Sequence, residues 1–221
     1  MIKSRIFYTA QYKRIEKAIV ALLNSQPDFL SARTASSTRA VGDAIQTILS
    51  EQFQSLLGRS IAEYSSAFAR RAMADLAFTD RDGFYYVVDV KTHCLETHFN
   101  MPNLTSVERL TRLYEDDQNY FVVLMVKYII KGTKAAVKEA HLVPIEFLSW
   151  DCLTVGALGW GQIQIANANV IKINAGYSRK KWMLELCDVM LEFYPKEIGK
   201  IQERSAYFKR VRKHWEDKPE S

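Results

Sequence analysis

A mixed α/β fold is what the 221-residue sequence predicts, from three features. Apolar residues recur at helical spacing near the N-terminus, β-rich runs alternate or run unbroken through the middle, and the last forty residues are helical and increasingly basic. In chain order, Ile15, Ile19, Leu22 and Leu23 predict a helix over about 5–24, which Pro27 ends. SARTASSTRAVGD (31–43) is small, polar and basic and reads as a loop. A strong helix is expected from about 42 to 57 on Ile45, Ile48, Leu49, Phe53 and Leu56, and a less regular one over 60–73. ADLAFTDRDGFYYVVDVKTH (74–93) reads as strand, turn, strand, with Asp80, Arg81, Asp82 and Gly83 in the turn. LTSVERLTRLYED (104–116) predicts a helix, FVVLMVKYII (121–130) a buried strand, HLVPIEFLSW a strand and turn, and GWGQIQIANANVIKI one or two strands. No repeat or long linker interrupts the chain, so a single domain over 1–221 is expected.

The apolar fraction of 48%, with 11 Phe and 11 Tyr, suffices for a substantial core. A net charge of +5 suits a polyanionic partner without specifying one. Cys94, Cys152 and Cys187 are odd in number and far apart, which argues against a disulfide framework or zinc cluster and for a reducing, cytoplasmic setting. The N-terminus is charged too early for a signal peptide, and Lys127 breaks the longest apolar run, so no membrane association is expected.

The chemistry is concentrated in the hairpin. Side chains alternate along a strand, so Tyr85, Val87, Asp89 and Lys91 share one face and Tyr86, Val88 and Val90 the other. Both faces carry apolar residues, which predicts a central strand with two ionisable groups buried in it, a costly arrangement unless pairing or a metal compensates. A three-residue loop at 81–83, with Gly83 left-handed, pairs residue 80 with 84 and therefore Asp75 with Asp89 on one face. A two-residue loop at 82–83 sets Asp75 opposite Val90 instead. Converging carboxylates repel and form a hard-oxygen site that Mg²⁺, or Mn²⁺ in its place, relieves. Lys91 beside them can position or deprotonate a water, or neutralise charge on a phosphate. Together these parts suit phosphodiester hydrolysis. The alternative is an internal Asp89–Lys91 ion pair on an edge strand with Asp75 merely near a turn.

This arrangement resembles the PD-(D/E)xK nuclease superfamily, with Ala74-Asp75 where Pro-Asp is usual and Asp89-Val90-Lys91 as the second half. It is most similar to the HincII and EcoRV group of type II restriction endonucleases, because MPNLTS (101–106), WGQIQI (160–165), Gly176, Arg179, Trp182 and a long basic helix follow in that group's order. The similarity spans about 40–215, with motifs only in 74–106 and 155–182. The resemblance implies a restriction-endonuclease-like fold, a mixed central β-sheet flanked by helices. It makes Asp75 and Asp89 metal ligands, Lys91 the catalytic lysine and Asp43 a fourth acid, although Asp43 also reads as a first-turn acid favoured by the helix dipole.

It also implies double-stranded DNA as partner and a homodimer, with the N-terminal helices (about 5–24) and the C-terminal basic helices (about 178–215) contributing to dimerisation and DNA binding. Asn103 falls at a base-contacting position, Asn100 where that group intercalates a glutamine, and Phe99 beside it can stack or wedge. The glycine-rich loop ending in Trp160 would enter the major groove, where Gln162, Asn167 and Asn169 reach base edges. The alternative for that loop is a plain strand connection with a core tryptophan. Arg33, Ser36, Ser37 and Arg39 would meet phosphates, as would Arg179, Lys180 and Lys181. Arg70 and Arg71 would lie near the scissile strand or solvate a helix end. Lys209, Arg210, Arg212 and Lys213, interleaved with Tyr207, Phe208 and Trp215, would hold flanking DNA or form a solvated face. His93 would line the cleft. The expectation is therefore a type II site-specific deoxyribonuclease cutting a short palindrome to 5′-phosphate ends. A repair or recombination nuclease, or a non-enzymatic basic DNA-binding protein, remains compatible with the same residues.

Overall fold

The structure is a computed structural model that describes residues 3–26, 30, 35, 37–64 and 74–219. The chain divides into two compact units, Met1–Gly176 and Tyr177–Ser221.

In the first unit, helix α1 (Gln11–Ser25) and helix α2 (Thr38–Leu57) precede strand β1 (Ile61–Tyr64), and strands β2 (Leu76–Asp80) and β3 (Tyr85–Cys94) follow as a hairpin. Strand β4 (Asn103–Ser106), helix α3 (Val107–Leu113), and the long strands β5 (Asn119–Lys131) and β6 (Lys134–Pro144) come next, then β7 (Leu153–Gly156) and β8 (Gln162–Ile165). Five strands form a mixed sheet in the order β1-β2-β3-β5-β6, and three form a smaller sheet in the order β4-β8-β7. The fold is thus mixed α/β, with a mixed central sheet flanked by helices: α1 against β6, α2 against β3, and α3 against β5.

Strand β3 occupies the middle of the larger sheet, antiparallel to β2 and parallel to β5. That position explains why both its faces are apolar and overturns the edge-strand alternative. The face bearing Tyr86 and Val88 joins Phe7, Phe78 and Tyr120 in an aromatic core, with Phe78 and Tyr86 stacked at 4.6 Å between ring centres. Helix α2 closes over this face with Val41, Ile45, Leu49, Phe53 and Leu57, a stripe at four-residue spacing.

Beyond β6 the sheet has an open edge, and α1 covers its polar backbone. The Asn24 amide donates to the Val137 carbonyl and accepts from the Val137 N–H, both at 2.9 Å. Glu16 Oε1 accepts from the Leu142 N–H at 2.9 Å. A strand edge sealed by side chains offers no template to another strand.

Several boundaries depart from the sequence expectations. Helix α1 begins at Gln11, not residue 5, because Ile6 and Phe7 are buried in the core and the chain turns there, with Tyr8 N–H donating to the Ser4 carbonyl at 3.0 Å. Gln26, before Pro27, is extended, as the proline ring requires of its predecessor. Helix α2 starts at Thr38, inside the expected loop, because the Ser37 hydroxyl caps it by accepting from Ala40 N–H at 3.3 Å. Residues 61–64 form a strand where a helix was expected, their short run pairing with β2. Residues 103–106 also form a strand, so α3 is shorter than the expected 104–116.

The hairpin has the register read from the sequence, with Leu76 opposite Val88 and Thr79 opposite Tyr85. Gly83 takes φ 85°, the left-handed position of the three-residue loop. Asp80, 4% exposed, pins this turn. Its Oδ1 accepts from Asp82 N–H at 2.9 Å and Phe84 N–H at 3.0 Å, and its Oδ2 accepts from the Tyr86 hydroxyl at 2.6 Å. The Ser4 hydroxyl is left to donate to the Tyr86 oxygen at 2.6 Å. Burial, reinforced by the Asp80 bond, pushes the Tyr86 hydroxyl well above the usual phenol range.

The second unit is helix α4 (Arg179–Glu216), 38 residues continuous through Pro195. The Ser178 hydroxyl caps it by accepting from Lys181 N–H at 3.2 Å. No helix among the described residues is long and apolar enough to cross a membrane.

Replacing Asp80 by Ala strands two backbone N–H groups and a buried phenol. We expect a loss of about 2–4 kcal/mol in urea unfolding, with an unchanged m-value; a loss below the error of the measurement would mean that the turn is fixed elsewhere.

Candidate active site

Asp75 lies one step beyond the last registered pair of the β2–β3 ladder, which brings it to Asp89. Strand β2 ends there while β3 continues, so the Val90 N–H has no strand partner on that side. Asp75 Oδ2 takes its place, accepting from Val90 N–H at 2.6 Å, and Asp75 Oδ1 accepts from the Gln46 amide of α2. One carboxylate oxygen therefore ends the strand ladder, and the other is held by the helix above.

Asp89 is 7% exposed, and its Oδ1 accepts from the Lys91 ammonium at 2.8 Å. Its Oδ2 is buried without a hydrogen-bond partner among the described residues. Burial pushes the Asp89 carboxyl up to about 7, Lys91 opposes the rise, and the Asp75 charge adds to it. A buried carboxylate oxygen left without a donor, beside a second carboxylate, is a hard donor set that fits Mg²⁺, a cation needing only one or two protein carboxylates plus water and phosphate oxygens. Among the described residues no group of three or more His, Cys, Asp or Glu gathers as a larger metal cluster.

A groove of about 260 Å³, lined by Arg39, Asp43, Gln46, Lys91, Thr92 and Asn100 among others, meets this centre at Lys91, while Asp75 and Asp89 do not line it. The structure thus brings Asp43 and Asn100 to the same groove as Lys91. Asp43 is exposed in the second turn of α2, not the first, because the helix begins earlier than expected. Gly42 lets α2 approach this closely, since a Cβ there would sit 2.7 Å from the Thr92 hydroxyl. Gln46, one turn after Asp43, escaped the sequence reading; its three-residue spacing from Asp43 on a helix was the available signal.

The smaller sheet buries Ile163, Ile165 and Leu153, while Asn103, Gln164 and Thr154 pair on its polar side. Gln164, also missed, donates to Asn103 Oδ1. Sequence alternation within QIQI placed Gln164 with Gln162 and was the signal for it. Trp160 stands at the β7–β8 turn and is 55% exposed, so it is not a core tryptophan. Phe99 is likewise 59% exposed, and Asn167 is partly exposed.

Asn169 has internal partners: its Oδ1 meets His93 Nε2 at 2.8 Å, and its amide donates to the Thr97 and His98 carbonyls. His93 is 1% exposed and does not line a cleft, because the 166–170 segment ties it down through Asn169. Ser37 is occupied as the α2 cap. Arg179, Lys180 and Lys181 form the first turn of α4 in the second unit. Arg33, Ser36, Arg70 and Arg71 lie outside the described residues.

Behind Lys91, on the same sheet face, register places Lys127 beside His93 and His141 beside Met125. Glu139 joins Lys127 at 3.7 Å and His141 at 3.1 Å. The buried lysine that interrupts the longest apolar run is thus paired across strands.

No protein-family model matches the chain, and no curated protein matches it.

The raised Asp89 carboxyl has a definite sign. The fold prefers it neutral, so its favourable contribution is full below about pH 4 and is lost as pH rises through about 7. We expect Asp89→Asn to raise stability by roughly 1–3 kcal/mol near pH 8, a gain that fades toward pH 4. Millimolar MgCl₂ near pH 8 should raise the melting temperature of the wild type and leave that of Asp89→Asn unmoved. Equal response of both proteins would remove Asp89 as a candidate metal ligand.

Proposed function

We propose that this chain is a Mg²⁺-dependent endonuclease of the type II restriction class, hydrolysing double-stranded DNA at a short palindromic site to leave 5′-phosphate and 3′-hydroxyl ends. The observation that carries the reading is the meeting of Asp75 and Asp89 from paired strands, with one Asp89 oxygen buried and without a donor while Lys91 holds the other at 2.8 Å. A purely structural ion pair would gain nothing from a second carboxylate brought beside it, because like charges disfavour each other.

In this reading Asp75 and Asp89 hold the Mg²⁺, for which Mn²⁺ can substitute. The ion would supply Lewis acidity toward a phosphate oxygen and compensate the two negative charges. The chain's own groups do the rest. Gln46 and the Val90 N–H fix the Asp75 carboxylate. Lys91, which lines the groove, donates to the water or to the phosphate oxygens where negative charge grows. Water then attacks phosphorus and the bond to the 3′ oxygen breaks.

In this reading DNA recognition falls to polar and aromatic groups of the smaller sheet and its adjoining loops. Asn103, with Gln162 and Gln164 on the same small sheet, offers amides suited to base edges, and Trp160 and Phe99 offer exposed ring faces. Arg39 lines the groove and suits a phosphate. Basic residues of α4 add to the attraction for a polyanion. A cytoplasmic setting follows from the same role.

Incubation with phage DNA and MgCl₂ tests the proposal. Discrete bands are expected from the wild type. Asp89→Ala should retain DNA binding in a gel shift and lose at least about a thousandfold in cleavage rate, as should Lys91→Ala. A smear or junction-selective cutting would favour a structure-recognising nuclease, and intact DNA would leave only a basic DNA-binding protein.

A further inference from the structure

Helix α4 carries a seam that neither the nuclease chemistry nor a DNA-binding face requires. Leu184, Leu191, Ile198, Ile201, Phe208 and Trp215 are each more than half exposed. With exposed Cys187 and with Tyr194 they repeat at alternating three- and four-residue steps: 184, 187, 191, 194, 198, 201, then 208 and 215, with Ser205 and Arg212 completing the series. That is a heptad pattern sustained along a helix of roughly 57 Å. Its first positions are Leu184, Leu191, Ile198, Ser205 and Arg212, and its fourth positions are Cys187, Tyr194, Ile201, Phe208 and Trp215. The helix's buried residues, Trp182, Leu186 and Met190, occupy other heptad positions, so the seam is separate from them. A repeat of 3.5 residues suits another helix of the same repeat, whereas a globular surface calls for 3.6.

We infer that α4 packs against α4 of a second copy of this chain as an antiparallel coiled coil, centred between Gly199 and Lys200. Two features identify the occupant and its direction. First, the seam complements itself about that centre. Leu184 meets Trp215, Leu191 meets Phe208, Ile198 meets Ile201, and Cys187 meets Arg212, each pair formed twice by the two-fold symmetry.

Second, the flanking charges match in the same register. Lys181 faces Glu216, Asp188 faces Lys209, and Glu197 faces Arg204, all of opposite sign. Asp188–Lys209 is the pair in which neither group has an ion pair within the helix among the described residues, since Glu197 also holds Lys200 at 2.7 Å and Glu216 holds Arg212 at 2.9 Å. In a parallel pair Arg212 would meet its own copy in the core, and Arg204 would flank Lys209, like charges in both places. Charge at the flanking positions is what sets partner and orientation in coiled coils. Pro195 flanks the seam opposite Gln202 and does not interrupt its apolar layers.

The inference does not depend on the nuclease reading, since it concerns a surface that acts by association alone. Sedimentation equilibrium of the full chain at micromolar concentration should give a dimer. Asp188→Lys should weaken dimerisation at least about tenfold, and adding Lys209→Asp to the same chain should restore it. Ile198→Asp should give a monomer with unchanged helix content. Direction is read by mild oxidation: Arg212→Cys should cross-link to dimers through Cys187, while the wild type does not. A monomeric wild type, or double charge reversal without recovery, overturns the dimer. Rapid disulfide linkage of wild-type chains through Cys187, which faces its own copy only in a parallel pair, overturns the antiparallel register.

Discussion

The Asp80 carboxylate is the constraint from which the geometry of the β2–β3 hairpin follows. Its three accepted hydrogen bonds fix the 81–83 loop, and the loop fixes the pairing of β2 with β3. Side chains alternate along a strand, so a slip of one residue would turn Asp75 to the opposite face and leave Asp89 facing an aliphatic neighbour. The pinning turn and the candidate site lie at opposite ends of the hairpin. The acid that orders the hairpin sits at its closed end, fully bonded, and Asp75 and Asp89 sit at its open end, where Asp75 is bonded through both oxygens and Asp89 through one.

Incomplete bonding is also what distinguishes Asp89 from the other buried charges. Glu16 serves a strand edge and a lysine, Asp80 serves a turn, and Lys127 has Glu139. Each has a partner for its charge or its lone pairs. Asp89 has one for half its carboxylate, and its neutral form is favoured up to about pH 7. The buried Nδ1 atoms of His93 and His141 also lack a partner among the described residues, but Asp89 Oδ2 is the carboxylate oxygen in that position.

The hairpin was legible in the sequence because two local rules agreed: alternation along β3, and the need for a left-handed residue at Gly83. The buried run of β5 and the helical C-terminus were legible for similar reasons. Elements decided by distant partners were not. Residues 61–64 are a strand because β2 lies beside them, and nothing within IAEY announces it. The early start of α2 hung on a single hydroxyl, Ser37, in a polar stretch resembling a loop. Of the candidate site, the two acids and the lysine followed from parity and spacing. Gln46 came from a helix whose docking over β3 depends on the absence of a side chain at Gly42. His93 was misjudged because a polar residue two positions beyond Lys91 looks outward until packing buries it, with the exposed Asn169 as its partner.

The sealing of β6 by α1 has a consequence for how the chain reaches this structure. Asn24 and Val137 are 113 positions apart, and Glu16 and Leu142 are 126 apart. Helix α1 is translated more than a hundred residues before the strand it packs on. Until then Ile15, Ile19 and Leu23 have no native seat. Closure of that face is a late, high-contact-order event, and folding of the nascent first unit can be completed only after translation has passed Leu142.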